Sequence, residues 1–122
     1  MGPLFFKLDR DFDSVAKIVF NALDIKDVLQ GESLNALGAV YFKSSVFGMN
    51  IKIEENSYEY EDCFNYTLFV KKNFDAAIKI TDEIERSMLN LIVNLLSINL
   101  NIEIGMEKDG ELLIIPPPSI NI

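Results

Sequence analysis

Apolar residues recur at three- and four-residue spacing near the start of the chain, which is the pattern of an amphipathic helix. They are Val15, Ile18, Val19 and Ala22. An acidic run at residues 9–13 comes directly before them, where carboxylates suit the positive end of a helix. The sequence therefore predicts a helix that begins near Ser14 and covers a sheet. A second, short helical piece is predicted through residues 25–30, ending at Gly31.

Residues 74–98 form the strongest helical segment, although residues 74–80 also fit an extension of the sheet. Asp82 and Glu85 have the spacing of a capping box, which marks a helix start. The apolar positions that follow form a broad stripe, which we expect to be core. Its central line is Ile84, Met88, Leu91, Leu95 and Ile98, and Leu89, Ile92, Val93 and Leu96 widen it. Such a helix needs cover on most sides, from a curved sheet or from another subunit as well.

Between these helices the spacing of apolar residues changes from a period of 3.6 residues to a period of two, which is the pattern of half-buried strands. Three strands are predicted, at residues 39–43, 47–54 and 62–70. In the third, Phe64 is expected to share a face with Tyr66. Short connections favour an antiparallel meander, and Asp109-Gly110 supplies the turn of a closing hairpin. The predicted fold is a single α+β domain over residues 1–122, a mainly antiparallel sheet with helices packed on one face.

The charge of the chain limits the classes of partner that it is expected to bind. Nineteen acidic against eleven basic residues give the 122-residue chain a net charge of −8. This charge repels phosphate, so neither nucleic acid nor an anionic membrane is expected as a direct partner, whereas a basic protein is attracted. No apolar stretch is long enough to span a bilayer and no secretory signal is recognised, so the predicted location is the cytoplasm.

Missing residue types exclude most catalytic and metal chemistry. The chain has no histidine, which is the commonest general base and metal ligand. Cys63 is its only cysteine, and acidic neighbours disfavour a reactive thiolate, so we expect a packed strand residue. We therefore predict a non-enzymatic protein with no cofactor and no metal site.

The triplet Asp9-x-Asp11-x-Asp13 resembles the opening of a calcium-binding loop. Such a loop needs glycine at its sixth position and glutamate at its twelfth. The chain has Ser14 and Phe20 there. Helix capping is therefore the favoured interpretation of the triplet.

The stretch IEENSYEYED, residues 53–62, is the candidate binding segment, because it interleaves tyrosines with carboxylates and has no basic residue. Carboxylates pair with Lys and Arg of a partner, while tyrosine supplies rigid contact area with a polar tip. A charged hairpin loop whose tyrosines cover the sheet edge is an equal alternative. Glu59 and Glu61 lack the apolar pocket that a glycosidase acid needs, so catalysis is not favoured. The predicted partner-binding residues are Glu54, Glu55, Tyr58, Glu59, Tyr60, Glu61 and Asp62.

This small, acidic α+β chain resembles the immunity proteins of bacterial contact-dependent growth inhibition systems, the CdiI type. The resemblance is carried by the IEENSYEYED segment and by the Asn/Ile-rich helix SMLNLIVNLLSINL. It transfers no individual residue role. It implies a cytoplasmic protein that binds a cognate toxin domain, a basic protein such as a nuclease of the RNase type, and blocks its active site. An acidic segment suits a basic surface that holds phosphates.

Two other function classes stay open. The helix at residues 82–98 is apolar around nearly all of its circumference, which favours a homo-oligomeric structural or adaptor protein. Light scattering would reveal such an assembly. The carboxylates and tyrosines would suit a small-ligand binder, which a metabolite-dependent shift in melting temperature would reveal.

We predict that the chain binds neither calcium nor zinc, because the calcium-loop pattern fails and histidine is missing. Isothermal titration with either ion should give no saturable heat. Stoichiometric binding in the micromolar range would contradict the prediction.

Overall fold

A computed structural model describes residues 3–32, 40–56, 60, 63–75, 77 and 79–117. Over these residues the chain forms a seven-stranded sheet and two helices. In chain order the elements are β1 (Leu4–Phe6), α1 (Phe12–Ala22), β2 (Leu29–Glu32), β3 (Val40–Val46), β4 (Met49–Glu55), β5 (Tyr66–Lys72), α2 (Asp82–Leu100), β6 (Ile104–Lys108) and β7 (Glu111–Ile115).

The sheet has the strand order β2-β3-β4-β5-β1-β6-β7, and every neighbouring pair is antiparallel. The meander β2 to β5 and the hairpin β6–β7 follow chain order, and β1 lies between them. Both helices contribute to the hydrophobic core against one face of the sheet. The predicted α+β class, with helices on one face of an antiparallel sheet, is confirmed.

β1 is only three residues long, yet it is buried on both of its faces. Leu4 and Phe6 belong to the core on the helix side. Phe5 points to the opposite face, because successive strand side chains alternate, and it is also 1% exposed. No strand was predicted from the sequence at these residues.

α1 begins at Phe12, two residues before the predicted start, because Asp11 caps it. The Asp11 carboxylate accepts hydrogen bonds from the Ser14 N–H at 3.1 Å and from the Ser14 hydroxyl at 2.7 Å. These bonds hold the pKa of Asp11 below its ordinary value. Capping was the favoured interpretation of the acidic triplet, and Asp11 is the member that caps the helix.

The short helix predicted over residues 25–30 is wrong. The chain there runs extended into β2, whose Leu29 pairs with Lys43 of β3. The Ser44 hydroxyl donates to the Asp27 carbonyl at 2.6 Å, which fixes the approach to β2. Pairing with a neighbouring strand therefore outweighs the local helical pattern.

α2 begins at Asp82, and Thr81 rather than Asp82 is its cap, with the Ile84 N–H donating to the Thr81 hydroxyl at 3.2 Å. The described residues of the segment 74–80 are neither helix nor strand. The Glu85 carboxylate contacts the sheet rather than the start of the helix, since it accepts a hydrogen bond from the Lys72 N–H at 3.1 Å. Asn101 ends the helix in a left-handed conformation, as is usual at this position.

The core prediction for α2 is wrong for three residues of its central line, whereas the four residues predicted to widen the stripe are buried. The buried side of the helix is Leu89, Ile92, Val93, Leu96 and Ser97. Ile84, Leu91 and Ile98 are instead exposed. The helix carries apolar residues around most of its circumference, whereas the sheet and α1 cover one side. Over the described residues, neither helix is long and apolar enough to cross a bilayer.

The buried side of α2 predicts which leucine stabilises the fold. Leu96→Ala should lower the free energy of unfolding by roughly 2–5 kcal/mol, because a fully buried leucine leaves a cavity. Leu91→Ala should lower it by less than about 1 kcal/mol, because that side chain is already in solvent. Urea unfolding followed by far-ultraviolet circular dichroism measures both, and equal losses would contradict this packing.

Candidate functional site

The sheet has an open face, which we define as the side that points away from α1 and α2. The strand registers place alternate residues of β2 to β5 there. They are Leu29, Gly31, Tyr41, Lys43, Ser45, Asn50, Lys52, Glu54, Thr67, Phe69 and Lys71. An antiparallel sheet with one uncovered face is ordinary, so the side chains on that face decide what it can bind.

Three lysines and two aromatic rings form a lysine–aromatic cluster on the open face: Lys43, Lys52, Lys71, Tyr41 and Phe69. The Lys52 ammonium lies 5.5 Å from the Tyr41 ring centre and 5.0 Å from that of Phe69. Lys43 lies 5.9 Å from the Tyr41 ring, and Lys71 lies 6.0 Å from the Phe69 ring. Cation–π attraction at these distances holds the positive charges close to the rings.

Four members of the cluster, all but Tyr41, line a groove of about 920 Å³. Phe74 adds an apolar side chain to the lining, and it is 82% exposed. Asn50 adds an amide, whose oxygen accepts a hydrogen bond from the Ser45 hydroxyl at 2.7 Å. The groove also has one acidic residue, Asp27, in its lining. It therefore combines charge of both signs, with lysines in excess, with apolar surface and neutral polar groups, which is the mixture found in the contact surfaces of proteins.

Two lysines that line the groove already have acidic partners. Lys52 is 3.2 Å from the Glu54 carboxylate. Lys72 bonds to Asp82 at the start of α2, which raises the pKa of Lys72 and lowers the pKa of Asp82. The exposed Lys43 and Lys71 are therefore the side chains best placed to meet a negative group on a partner.

Tyr41 lies flat on the sheet because Gly31 on the neighbouring strand has no side chain. The two residues are directly opposite in the β2–β3 register. A Cβ atom on Gly31 would overlap the end of the Tyr41 ring. This ring therefore covers the edge strand, and its position depends on glycine at residue 31.

The connection between β4 and β5 covers the β1 part of the open face. The Tyr60 ring meets Phe5 edge-on at 5.3 Å between ring centres, and Phe64 stacks on Phe5 at 6.2 Å. Asn56 ties the connection down, donating to the Phe64 carbonyl at 2.9 Å and accepting from the Thr67 hydroxyl at 3.0 Å. The cluster and this connection are neighbours on the same side of the sheet.

Two predictions about this connection are wrong. Phe64 does not share a face with Tyr66, because Phe64 packs on Phe5 and Tyr66 lies in the helix-side core. Cys63 is exposed rather than packed in a strand. Both differences follow from a turn at Tyr60, whose carbonyl accepts from the N–H groups of Cys63 and Phe64, so that β5 starts only at Tyr66.

The residues of the predicted binding segment have different surroundings. Glu54 is 6% exposed and lies on the open-face side beside Lys52. Glu55 is exposed on the opposite side of β4. Tyr60 packs on Phe5. Outside the described residues lie Tyr58, Glu59, Glu61 and Asp62.

The lysine–aromatic cluster was missed in the sequence analysis. Its members sit on three strands, and only the strand register brings them together. Lys52 is opposite Lys43 on one side and Phe69 on the other. Aligning the alternating polar positions of the three predicted strands would have been the available signal.

A second groove, of about 560 Å³, lies beside α1 and is lined by Lys17, Phe20, Lys26 and Phe42 among others. Among the described residues, the lysines that lie over aromatic rings are those of the open face and not those of this groove. Over the described residues, no three His, Cys, Asp or Glu side chains come together as a metal site.

Comparison with protein-family models, curated proteins and solved structures finds no match for the chain. The function of the open face is therefore inferred from its own residues.

The contact between Tyr41 and Gly31 can be measured by a double-mutant cycle. Gly31→Ala should destabilise the protein more when Tyr41 is present than in a Tyr41→Ala background, because the new methyl group displaces the ring. We expect an interaction free energy of at least about 0.5 kcal/mol from urea unfolding of the four proteins. Additive effects would mean that the ring does not lie over Gly31.

Proposed function

We propose that this chain is a non-enzymatic binding protein that docks a protein partner on the open face of its sheet. Its proposed role is immunity: it neutralises a cognate toxin domain by covering that domain's active site. The observation that carries the proposal is the lysine–aromatic cluster on an uncovered sheet face. The acidic segment at residues 53–62 continues from the same sheet.

The charges on and around the open face favour a protein over a nucleic acid. The cluster is positive, whereas the whole chain has a net charge of −8 and residues 53–62 add five carboxylates with no basic residue. A nucleic acid presents uniform negative charge, which the acidic segment repels. A protein surface can offer carboxylates to the lysines and basic groups to the acidic segment.

The aromatic rings of the cluster also suit a protein partner. Sheets that bind single-stranded RNA stack bases on free aromatic faces. Here lysine ammonium groups lie over both Tyr41 and Phe69. A base could stack only after the lysines moved away, whereas a carboxylate of a partner can meet the lysines where they are.

The shifted pKa values of the described residues have structural causes, which supports a binding role over a catalytic one. Asp11 caps α1 and Asp82 bonds to Lys72, and these contacts set the direction of their shifts. Burial raises the pKa of Tyr66, and its hydroxyl donates to the Arg10 carbonyl at 2.8 Å. None of these groups is a carboxylate whose pKa is raised by an apolar cleft, which is the usual mark of a catalytic acid.

A nuclease toxin fits this surface. Its phosphate-binding cleft is basic, so we expect the carboxylates of Glu59, Glu61 and Asp62 to lie against it; Glu54 is buried beside Lys52, and Glu55 is on the other side of β4. The acidic groups that surround such a cleft can then pair with Lys43 and Lys71. Inhibition needs only that the complex excludes the substrate.

The first test is co-expression. If the role is immunity, the gene beside this one encodes a toxin domain that arrests growth, and co-expression of this chain restores growth. The purified proteins should form a stoichiometric complex. A neighbouring product that is harmless, or a toxin that this chain does not neutralise, would contradict the proposal.

Charge reversal then tests the surface. Lys43→Glu with Lys71→Glu should weaken toxin binding by at least about tenfold, equivalent to ~1.4 kcal/mol, because attraction becomes repulsion. The matched control is Lys17→Glu with Lys26→Glu, which changes the net charge equally at exposed positions on the helix side. Calorimetry should show a loss only for the first pair. Equal losses, or a loss only for the control, would place the contact elsewhere.

Two further measurements test the acidic segment and the choice of a protein over a nucleic acid as partner. Glu59→Lys with Glu61→Lys should also weaken binding, and the loss should shrink as salt rises, because it comes from charge. A single-stranded RNA oligonucleotide should not compete with the toxin. Tight RNA binding that depends on Tyr41 and Phe69 would replace the toxin by a nucleic acid as the partner.

A further inference from the structure

α2 has an apolar stripe on its solvent side. Ile84, Leu91 and Ile98 are 44%, 55% and 63% exposed. Met88 and Leu95 lie between them and are half-buried. The spacing alternates between four and three residues, which is the repeat of a helix that packs against another helix.

Four of the five stripe residues, from Met88 to Ile98, lie in an uncharged stretch of the chain, whereas Ile84 is flanked by Glu83 and Glu85. From residue 87 to residue 102 the sequence SMLNLIVNLLSINLNI has no acidic and no basic residue. The rest of the chain carries the whole net charge of −8. Two copies of such a chain repel one another over most of their surfaces, and the stripe is a surface where they can meet without that repulsion.

The stripe is also close to symmetric along the helix. Leu91 is its middle residue, and Ile84 and Ile98 lie seven residues to either side. A two-fold axis near Leu91 would place antiparallel α2 helices so that Ile84 of one copy faces Ile98 of the other. Self-complementarity of this kind is what a two-fold dimer interface requires.

We infer that the stripe is a dimer interface and that its occupant is a second copy of this chain, held by antiparallel packing of α2 on α2. A charged partner such as a toxin fits the open sheet face, whereas it finds no charged pairing groups along the stripe from Met88 to Ile98. The open face stays accessible in this dimer, because it lies on the opposite side of the sheet. The inference does not depend on the proposed function.

The size of the stripe sets the strength of the dimer. A 19-residue helix is about 28 Å long, and one helix pair buries less than the ~800 Å² per partner of a standard stable interface. We therefore expect a reversible dimer with a dissociation constant in the micromolar range.

Sedimentation equilibrium over a concentration series tests this directly. The mass should rise from 13.8 kDa towards twice that value with increasing concentration. Leu91→Glu should raise the dissociation constant at least about tenfold, because it buries an unpaired charge at the axis. Its far-ultraviolet spectrum and unfolding midpoint should stay close to those of the parent, since the side chain is exposed in the monomer.

Disulfide trapping tests whether the two copies meet at Leu91. In a Cys63→Ser background, Leu91→Cys should form a disulfide-linked dimer under mild oxidation, because the two copies meet at this residue. The matched control is Asn90→Cys, which is exposed but lies about 100° around the helix, and it should remain monomeric.

Three results would overturn the inference. One is a monomer throughout the concentration series. Another is a dimer whose stability Leu91→Glu leaves unchanged, which would indicate pairing through another surface such as the β7 edge. The third is equal trapping of the two cysteine variants.

Discussion

The sheet depends on the insertion of β1 between two segments that are far apart along the chain. Phe5 pairs with Thr67 of β5 on one side and with Gly105 of β6 on the other. Without these three residues, the meander and the closing hairpin would be separate small sheets with unpaired edges. Leu4 and Phe6 also belong to the helix-side core, so one short strand supplies backbone pairing and core packing together.

β1 also contributes side chains to both faces of the sheet. Its even positions anchor the side that α1 and α2 cover, and Phe5 anchors Tyr60 and Phe64 on the other side. Tyr60 and Phe64 of the connection between β4 and β5 therefore lie over β1. On the open face Lys43 and Lys71 are exposed, whereas Glu54 and Thr67 are buried. The two surfaces that we assign to partners lie on opposite sides of one sheet.

Local patterns in the sequence predicted the elements that depend on local chemistry. Alternating apolar and polar positions predicted the strands of the meander, and Asp109-Gly110 predicted the last hairpin turn. The acidic run before α1 contained its cap, Asp11. The failures at Cys63 and Phe64 follow from a local turn at Tyr60, whereas two others involve contacts with distant residues. Residues 25–30 follow the pairing of β2 with β3 instead of a helical pattern, and Leu91 is exposed because the sheet and α1 leave that side of α2 uncovered.

The candidate site could be predicted only in part for the same reason. A run of carboxylates and tyrosines is visible in ten consecutive residues, whereas Lys43, Lys52 and Lys71 come from three strands. Their proximity depends on register, which places Lys43 opposite Lys52 and Lys52 opposite Phe69.

Covalent labelling of lysines in the free protein and in its toxin complex tests the open face most directly. Our account predicts that Lys43 and Lys71 become protected in the complex while Lys17 stays reactive; protection of Lys17, with Lys43 and Lys71 still reactive, would contradict it.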